Sequence, residues 1–380
     1  MNFTVNTERL LGGLRRVMSA VSSKSLNAML NNILVEAEGD KVFLTAYDLE
    51  LRIRTAIPAT VAQRGAIAIP AKKFNEIVGA LPMGDLVFET GEENAEEIRL
   101  VCQKANYKIH GQNADGFPAA DPFAEEWSFG IGGKELVDCL CKTVYAKSTD
   151  ESRQALNGVL VSIRGGMRTI AASDGRRLAL VEHSLEPAAE GENAEAAPAV
   201  PTSEGEFILP SKVVLELIRA VDQSKAVQIH LTHTMALFEI GDTTLSSKLV
   251  DKAYPNYRSV IPVSFRNQVM IPRALFADVL RRVRMMINES EGGASIALSI
   301  SDNTMTISAS SQEFGEAHET IDVELTGEPI NIAFNPQYLG DPLKTLACDK
   351  FELKFNDGVT PVEMTGDPGF IYILMPMRGN

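Results

Sequence analysis

The chain has 380 residues, 45% of them hydrophobic, and a formal net charge of -14 at pH 7. That is ample material for several separate cores, and no apolar run approaches the roughly 20 residues that a membrane-spanning helix needs. Cys102, Cys139, Cys141 and Cys348 form no CxxC pair, which points to buried thiols rather than a disulfide framework or zinc site; the start MNFTVNTERLL lacks a basic-then-apolar signal pattern, so a cytoplasmic location is expected.

From Phe3, FTVNTERLLGGLRRVMSAV runs from a short apolar strand into a helix whose apolar stripe is Leu10, Leu11, Leu14, Val17, Met18 and Val21. Three strand-like runs follow, NILVEAE, KVFLTAYD and LELRIRTAIP; in the last, Leu51, Ile53 and Thr55 alternate with Glu50, Arg52 and Arg54, as in a sheet with one buried face. A second strand and helix, AIPAKKFNEIVGALP from Ala68, precede DLVFETG, EEIRLVCQ and ANYKIHGQ. After the linker GFPAADPFAEEW the order recurs with FGIGGKELVDCLCKTVYAK from Phe129 and ILPSKVVLELIRAV from Ile208. It recurs again, after YPNYRSVIPVSF, with VMIPRALFADVLRRVRMMI from Val269 and AFNPQYLGDPLKTL from Ala333.

The first units start 126 and 140 residues apart, and Ile69, Leu209 and Phe334 in the second units lie 140 and 125 apart. Two independent markers share one period, of a size that suits compact domains rather than short solenoid repeats. The expectation is an α+β chain of three similar domains, 1-124, 125-262 and 263-380, each a strand, a helix and three strands carried out twice. The Ala/Glu/Pro-rich stretch from Glu186 to Glu206 reads as a mobile surface insertion and accounts for the longer second period. His230 and His233 in QIHLTH are expected on opposite faces of a strand, and Gly340 with Pro342 should shorten the last helix.

Charge brings function into view. The three first helices, taken as Val5 to Ser22, Ile131 to Lys147 and Ile271 to Ile287, carry ten basic and four acidic residues in an acidic chain. The second helices add Lys72, Lys73, Lys212, Arg219 and Lys344. A solvated helix face explains any single case, but recurrence on corresponding helices predicts one positive surface for sequence-independent contact with phosphates.

The segments MNFTVNTERLL, IPAKKFNEIVGALP, RQALNGVLVSI with IAASDGRRLALV, SSKLVDKAYPNYRSVIP and the terminal YILMPMR occur in this order along essentially the whole chain. Together they resemble the bacterial DNA polymerase III beta subunit, the sliding clamp family. The resemblance implies a DNA clamp fold: a head-to-tail homodimer forming a closed ring, lined by helices, through which duplex DNA passes. It also implies a processivity factor without catalysis or cofactor, which tethers the replicative polymerase. Arg15, Arg16, Lys72, Lys73, Lys142, Lys147, Lys212, Arg281, Arg282 and Arg284 are then expected to face DNA, and the resemblance adds Lys24 and Gln154.

The resemblance further implies a pocket between the second and third domains for short peptides of polymerases, clamp loader and other partners. Its wall would be Arg153, Leu156, Ser173, Gly175, Arg176, Arg177, Leu178, Pro255, Val260, Asn335, Tyr338, Val359, Pro361 and the terminal run Ile373, Leu374, Met375, Pro376, Met377 and Arg378, with Arg153 and Arg177 on the rim. Met375 and Met377 offer adaptable apolar surface. Tyr107 and Ile109, on one face of a strand, and Met285 and Met286, at the end of a helix, are expected at the dimer interface. An enzyme is disfavoured: FGIGGKE lacks the Ser/Thr after Lys of a phosphate-binding loop, and no catalytic or metal-ligand set recurs. The nearer alternative is an open DNA-binding scaffold with the same basic helices.

Overall fold

In the computed structural model the described residues are 1-22, 27-91, 96-185, 203-287 and 295-377. They form two compact bodies, one built from the described residues of 1-134 and 215-249, the other from those of 135-185, 203-214 and 250-377.

Six helices occur among these residues: α1 (Thr7–Val17), α2 (Ala71–Ala80), α3 (Gly133–Thr143), α4 (Ser211–Ala220), α5 (Arg273–Val283) and α6 (Pro336–Gly340). The first helix of each repeat (α1, α3, α5) is 11 residues long and runs into a three-residue tighter turn, Met18–Ala20, Val144–Ala146 and Arg284–Met286. The Asn6 side chain caps α1 by accepting from Glu8 N at 3.0 Å and Arg9 N at 3.3 Å. Leu10, Leu14 and Val17 of α1 are fully buried. Gly13 lets the helix approach its sheet, since a Cβ there would lie 2.3 Å from Ile57 Cδ1. Helix α6 is cut to five residues, as Gly340 and Pro342 predict, and a short turn Pro342–Lys344 follows it.

In the first body a five-stranded antiparallel sheet runs Thr60–Gln63, Asn2–Asn6, Asp85–Thr90, Glu97–Cys102, Ala105–His110. A nine-stranded sheet runs Gln112–Asn113, Gly65–Pro70, Asn32–Glu38, Lys41–Tyr47, Leu51–Pro58, Thr243–Lys248, Met235–Ile240, Ala226–Leu231, Trp127–Gly132. Leu51–Pro58 shows the expected alternation, with Leu51, Ile53, Thr55 and Ile57 buried. At the middle of this sheet the hydroxyls of Thr55 and Thr243, both buried, are 2.8 Å apart.

The second body repeats the plan. Its nine-stranded sheet runs Gly205–Pro210, Gly158–Arg164, Met167–Ser173, Arg177–Ser184, Phe370–Leu374, Val362–Thr365, Lys350–Phe355, Asn267–Pro272, Glu324–Thr326. Its four-stranded sheet runs Gly315–Asp322, Thr304–Ser311, Ile296–Ser301, Ile330–Phe334. Large apolar side chains fill the cores, including Phe3 stacked on Phe88 at 4.6 Å in one body and Phe276 against Phe351 at 5.5 Å in the other.

Two sequence expectations need correction. Most of the proposed insertion, 186-202, lies outside the described residues, but its end is not loop: Gly205 and Glu206 pair with Ile163 and Ser162 as the edge of a sheet. His233 is not in a strand, because Ala226–Leu231 ends two residues earlier and His233 is exposed, with Glu126 3.0 Å from its ring.

Candidate functional site

The three first helices end in the same register: Arg15-Arg16-Val17, Cys141-Lys142-Thr143 and Arg281-Arg282-Val283. Val17, Thr143 and Val283 are buried, so the two preceding positions lie towards the outer face. Arg15, Arg16, Arg281 and Arg282 are exposed there. Arg282 is also paired with Glu319, at 2.8 and 2.5 Å.

Lys142 breaks the pattern and corrects the sequence reading. It is 6% exposed, its ammonium 2.7 Å from both Asp138 and Asp367, so it braces the fold instead of presenting charge to solvent. Burial pulls the Lys142 ammonium's pKa down, but the two carboxylates outweigh it and hold it above the ordinary value. Among the other cations, Lys72, Lys73 and Lys212 are exposed and Lys147 half-buried, with Lys73 paired to Glu76 at 2.6 Å. Gln154 is exposed, and Lys24 lies outside the described residues.

In the second body the strands Met167–Ser173, Arg177–Ser184 and Phe370–Leu374 carry a buried cluster of Ala171, Leu178, Leu180 and Ile373, against which Tyr257, Ile261 and Ile371 pack. Leu374 is also buried, whereas Val260, Val359 and Met375 are exposed, at 50%, 68% and 42%. Pro255 is exposed, and Leu156, Pro361, Pro376 and Met377 are half-buried. The last strand is tied at its end by Met375 N to Arg176 O at 3.0 Å and Met377 N to Ala333 O at 2.7 Å; Arg378 lies outside the described residues.

The turn before Arg177 is built by its own side chains. Gly175 has φ +86°, Asp174 Oδ1 accepts from Arg176 N and Arg177 N, and the Ser173 hydroxyl donates to Arg177 O. Arg153 reaches over this turn, donating to Asp174 O at 3.3 Å, and remains exposed. Arg177 does not share the rim with it, which corrects the expectation. It is 7% exposed, donating to Asp341, Asp174 and the Tyr145 carbonyl, with its guanidinium 4.1 Å from the centre of the Tyr338 ring. Asn335 likewise has a structural task, capping α6 by accepting from Gln337 N and Tyr338 N.

Each body also exposes a sheet edge. Ala105–His110 is the outer strand of the five-stranded sheet, with Tyr107 39% exposed and Ile109 half-buried. Gly315–Asp322 is the outer strand of the four-stranded sheet, preceded by Phe314 at 52% exposure, while Met285 is 67% exposed and Met286 half-buried in the turn after α5. The first edge is among the sequence expectations and the second is not; in its run FGEAHETID the five polar residues Glu316, His318, Glu319, Thr320 and Asp322 leave only Ala317 and Ile321 as apolar strand positions.

Models of the DNA polymerase III beta subunit N-terminal, central and C-terminal domains match residues 1–121, 131–256 and 258–378. The chain belongs to the DNA polymerase III beta subunit family. It is 33% identical over 383 residues to the beta sliding clamp of Synechocystis sp., covering 97% of each chain, and 32% identical over 387 residues to that of Caulobacter vibrioides, covering 100% of each. Among solved structures, the sliding clamp of Pseudomonas aeruginosa bound to griselimycin is similar with a TM-score of 0.91 at 26% identity. The clamp of Bacillus subtilis has a TM-score of 0.91 at 27% identity, and both comparisons cover 100% of each chain.

The beta subunit fold is therefore the three-domain DNA clamp, mostly sheet with few helices. As a beta sliding clamp the chain is a processivity factor, a non-catalytic subunit that works on DNA with a polymerase. Among the described residues no helix is long and apolar enough to cross a membrane.

Proposed function

We propose that two copies of this chain join head to tail into a closed ring around duplex DNA in the cytoplasm, with domains 1-124, 125-262 and 263-380 supplying half of it. The exposed edges carry this reading. An unpaired strand offers a row of backbone donors and acceptors to another chain. Ala105–His110 carries one cation, Lys108, which pairs with Glu97 at 2.6 Å, while Gly315–Asp322 carries Glu316, Glu319 and Asp322, so like-charge repulsion does not bar the two edges from meeting. Contact between unlike edges, made twice, closes a dimer with Tyr107, Ile109, Met285 and Met286 at the seam.

The exposed arginines Arg15, Arg16, Arg281 and Arg282 would line the inside, where salt-screened contacts with phosphates hold DNA without arresting sliding. The Leu178 site would dock short peptides of the replicative polymerase, the clamp loader and other replication and repair proteins. Two relatives, from Pseudomonas aeruginosa and Bartonella birtlesii, were solved with griselimycin bound, which supports ligand binding by this chain too.

Mass in solution and retention on DNA test the ring. A dimer of the 41.3 kDa chain is expected, retained on covalently closed circles and lost once they are cut; an open scaffold would bind both forms alike. Ile109→Asp and Met286→Asp should each yield monomers. Dimers of undiminished stability in both variants would refute this seam.

A further inference from the structure

A cleft of about 210 Å³ opens in the first body. Its floor is one row across four paired strands, Tyr47, Arg52, Ser246 and Leu237, flanked by Arg54 and Thr244. The extended segment containing Ala120, Asp121 and Phe123 forms its wall. The row occupies the same place in its nine-stranded sheet as Ser173, Leu178 and Ile373 do in the other. Arg52 thus stands at the register that the buried Leu178 holds in the other sheet, a cation in place of an apolar side chain.

The cations of this cleft are incompletely paired. Among the described residues Arg52 makes one hydrogen bond, to Pro118 O at 3.3 Å, and has no carboxylate at ion-pair distance. Arg54 meets Glu36 at 3.3 Å through one terminal nitrogen and lies over the Phe43 ring at 4.2 Å, but its buried Nε has no hydrogen-bond partner. A buried unpaired donor is costly, and a ligand oxygen would relieve it. The wall carboxylate does not serve: Asp121 accepts from the Tyr47 hydroxyl at 2.9 Å, and burial together with that bond pushes the Tyr47 phenol up to about 12, so it stays a donor. Burial and the neighbouring Arg54 both press the Arg52 guanidinium downwards, an unfavourable situation that an anion reverses. Glu50 on the rim opposes an acidic ligand, but it is solvent-exposed and screened.

We propose that this cleft is a second peptide-docking site, selective for an acidic segment: a carboxylate on Arg52 and Arg54, with the adjoining apolar side chain on Leu237 and Phe123. A volume of about 210 Å³ takes one or two side chains, which suits a short linear segment rather than a folded partner. The comparison with the Leu178 site rests on reading it as a peptide site; the charges of Arg52 and Arg54 do not, and separate reporters keep the two readings apart.

The test uses the full chain with labelled Met and Leu methyl groups, titrated with acetyl-Leu-Asp-Phe-amide and its neutral Asn counterpart. The Asp peptide should shift Met235 and Leu237 saturably, and the Asn peptide should bind about tenfold more weakly, as expected when a hydrogen bond between charged groups is replaced by a neutral one. Arg52→Leu, which copies the Leu178 register, and Ser246→Glu, which supplies Arg52 with an internal carboxylate, should each erase that difference. Should Arg52→Leu fail to fold, Ser246→Glu alone decides. Shifts confined to Met375, equal affinity for the two peptides, or no saturable shift of Met235 and Leu237 at millimolar peptide would overturn the proposal, whichever way the Leu178 site behaves.

Discussion

The Arg177 guanidinium donates to Asp341 Oδ2 at 2.8 Å, joining two buried side chains 164 positions apart. The pair connects the strand Arg177–Ser184 to the turn after α6, and the centre of the Tyr338 ring lies 4.1 Å from the guanidinium carbon. Burial opposes the charge on Arg177, but its neighbours more than offset that and hold its pKa above the ordinary value. Removing Asp341 leaves the buried guanidinium with Asp174 as its remaining carboxylate and takes away the partner of its Nη1. Asp341→Ala should therefore destabilise the chain by about 3 kcal/mol, read as a lower denaturant midpoint, while Arg153→Ala, at an exposed residue, should leave the midpoint nearly unchanged. Equal midpoints for the parent and Asp341→Ala would return Arg177 to the role of a solvent-facing rim residue.

The Lys142–Asp367 pair makes stability depend on pH at both ends of the range. Burial pushes the Asp367 carboxyl up, but Lys142 and the amides of Ala347 and Cys348 hold it below its ordinary value overall. A depressed carboxyl contributes stability that is present above its unfolded value, about 3.9, and lost as pH falls through the folded one. The raised Lys142 contributes stability that is present below about 10.4 and lost as pH rises through its folded value. Thermal melts across pH should show a plateau between these limits. In Lys142→Met the alkaline part of the fall due to this pair should disappear; an unaltered alkaline limb would show that Lys142 is not its source.

How much of this was legible in the sequence depends on how far apart the deciding residues lie. Period two at Leu51, Ile53 and Thr55, and the recurring strand-to-helix units, are local patterns, and the structure reproduces them. Gly340 and Pro342 act on their own backbone, and α6 is short. The fates of Lys142 and Arg177 are set by Asp367 and Asp341, far along the chain, which no window around either residue contains. In a one-letter string Lys142 is indistinguishable from Arg16 and Arg282, which share its helix register. The edge Gly315–Asp322 was missed for another reason: an exposed edge strand lacks the apolar alternation that marks a half-buried one.

The helix register gives a direct contrast for DNA binding. Replacing Arg15 and Arg16 together by Glu should flatten the dependence of log K on log salt by roughly 0.9 for each phosphate no longer neutralised, with little loss of stability because both side chains are exposed. Lys142→Ala should do the reverse, lowering stability and leaving the slope as it was. Filter binding to a linear duplex over a salt series measures the slopes. If Arg15 and Arg16 only complement the helix dipole at the end of α1, the slope will not move.

The proposed peptide site is best tested at its exposed residues. Leu178 is 1% exposed, so a charge there would disturb the fold together with any binding. Val359 and Met375 project into solvent, and a charge at either should cost the fold little. A peptide with a Gln and a Leu/Phe end buries little surface, and a few anchor residues should carry its affinity. Met375→Asp and Val359→Asp should therefore each weaken such a peptide at least about tenfold, the scale of removing one anchor, without changing dimer mass or retention on closed circular DNA. Calorimetric titration gives the affinities. Parent-like affinity in both variants would move the docking site away from the Leu178 cluster.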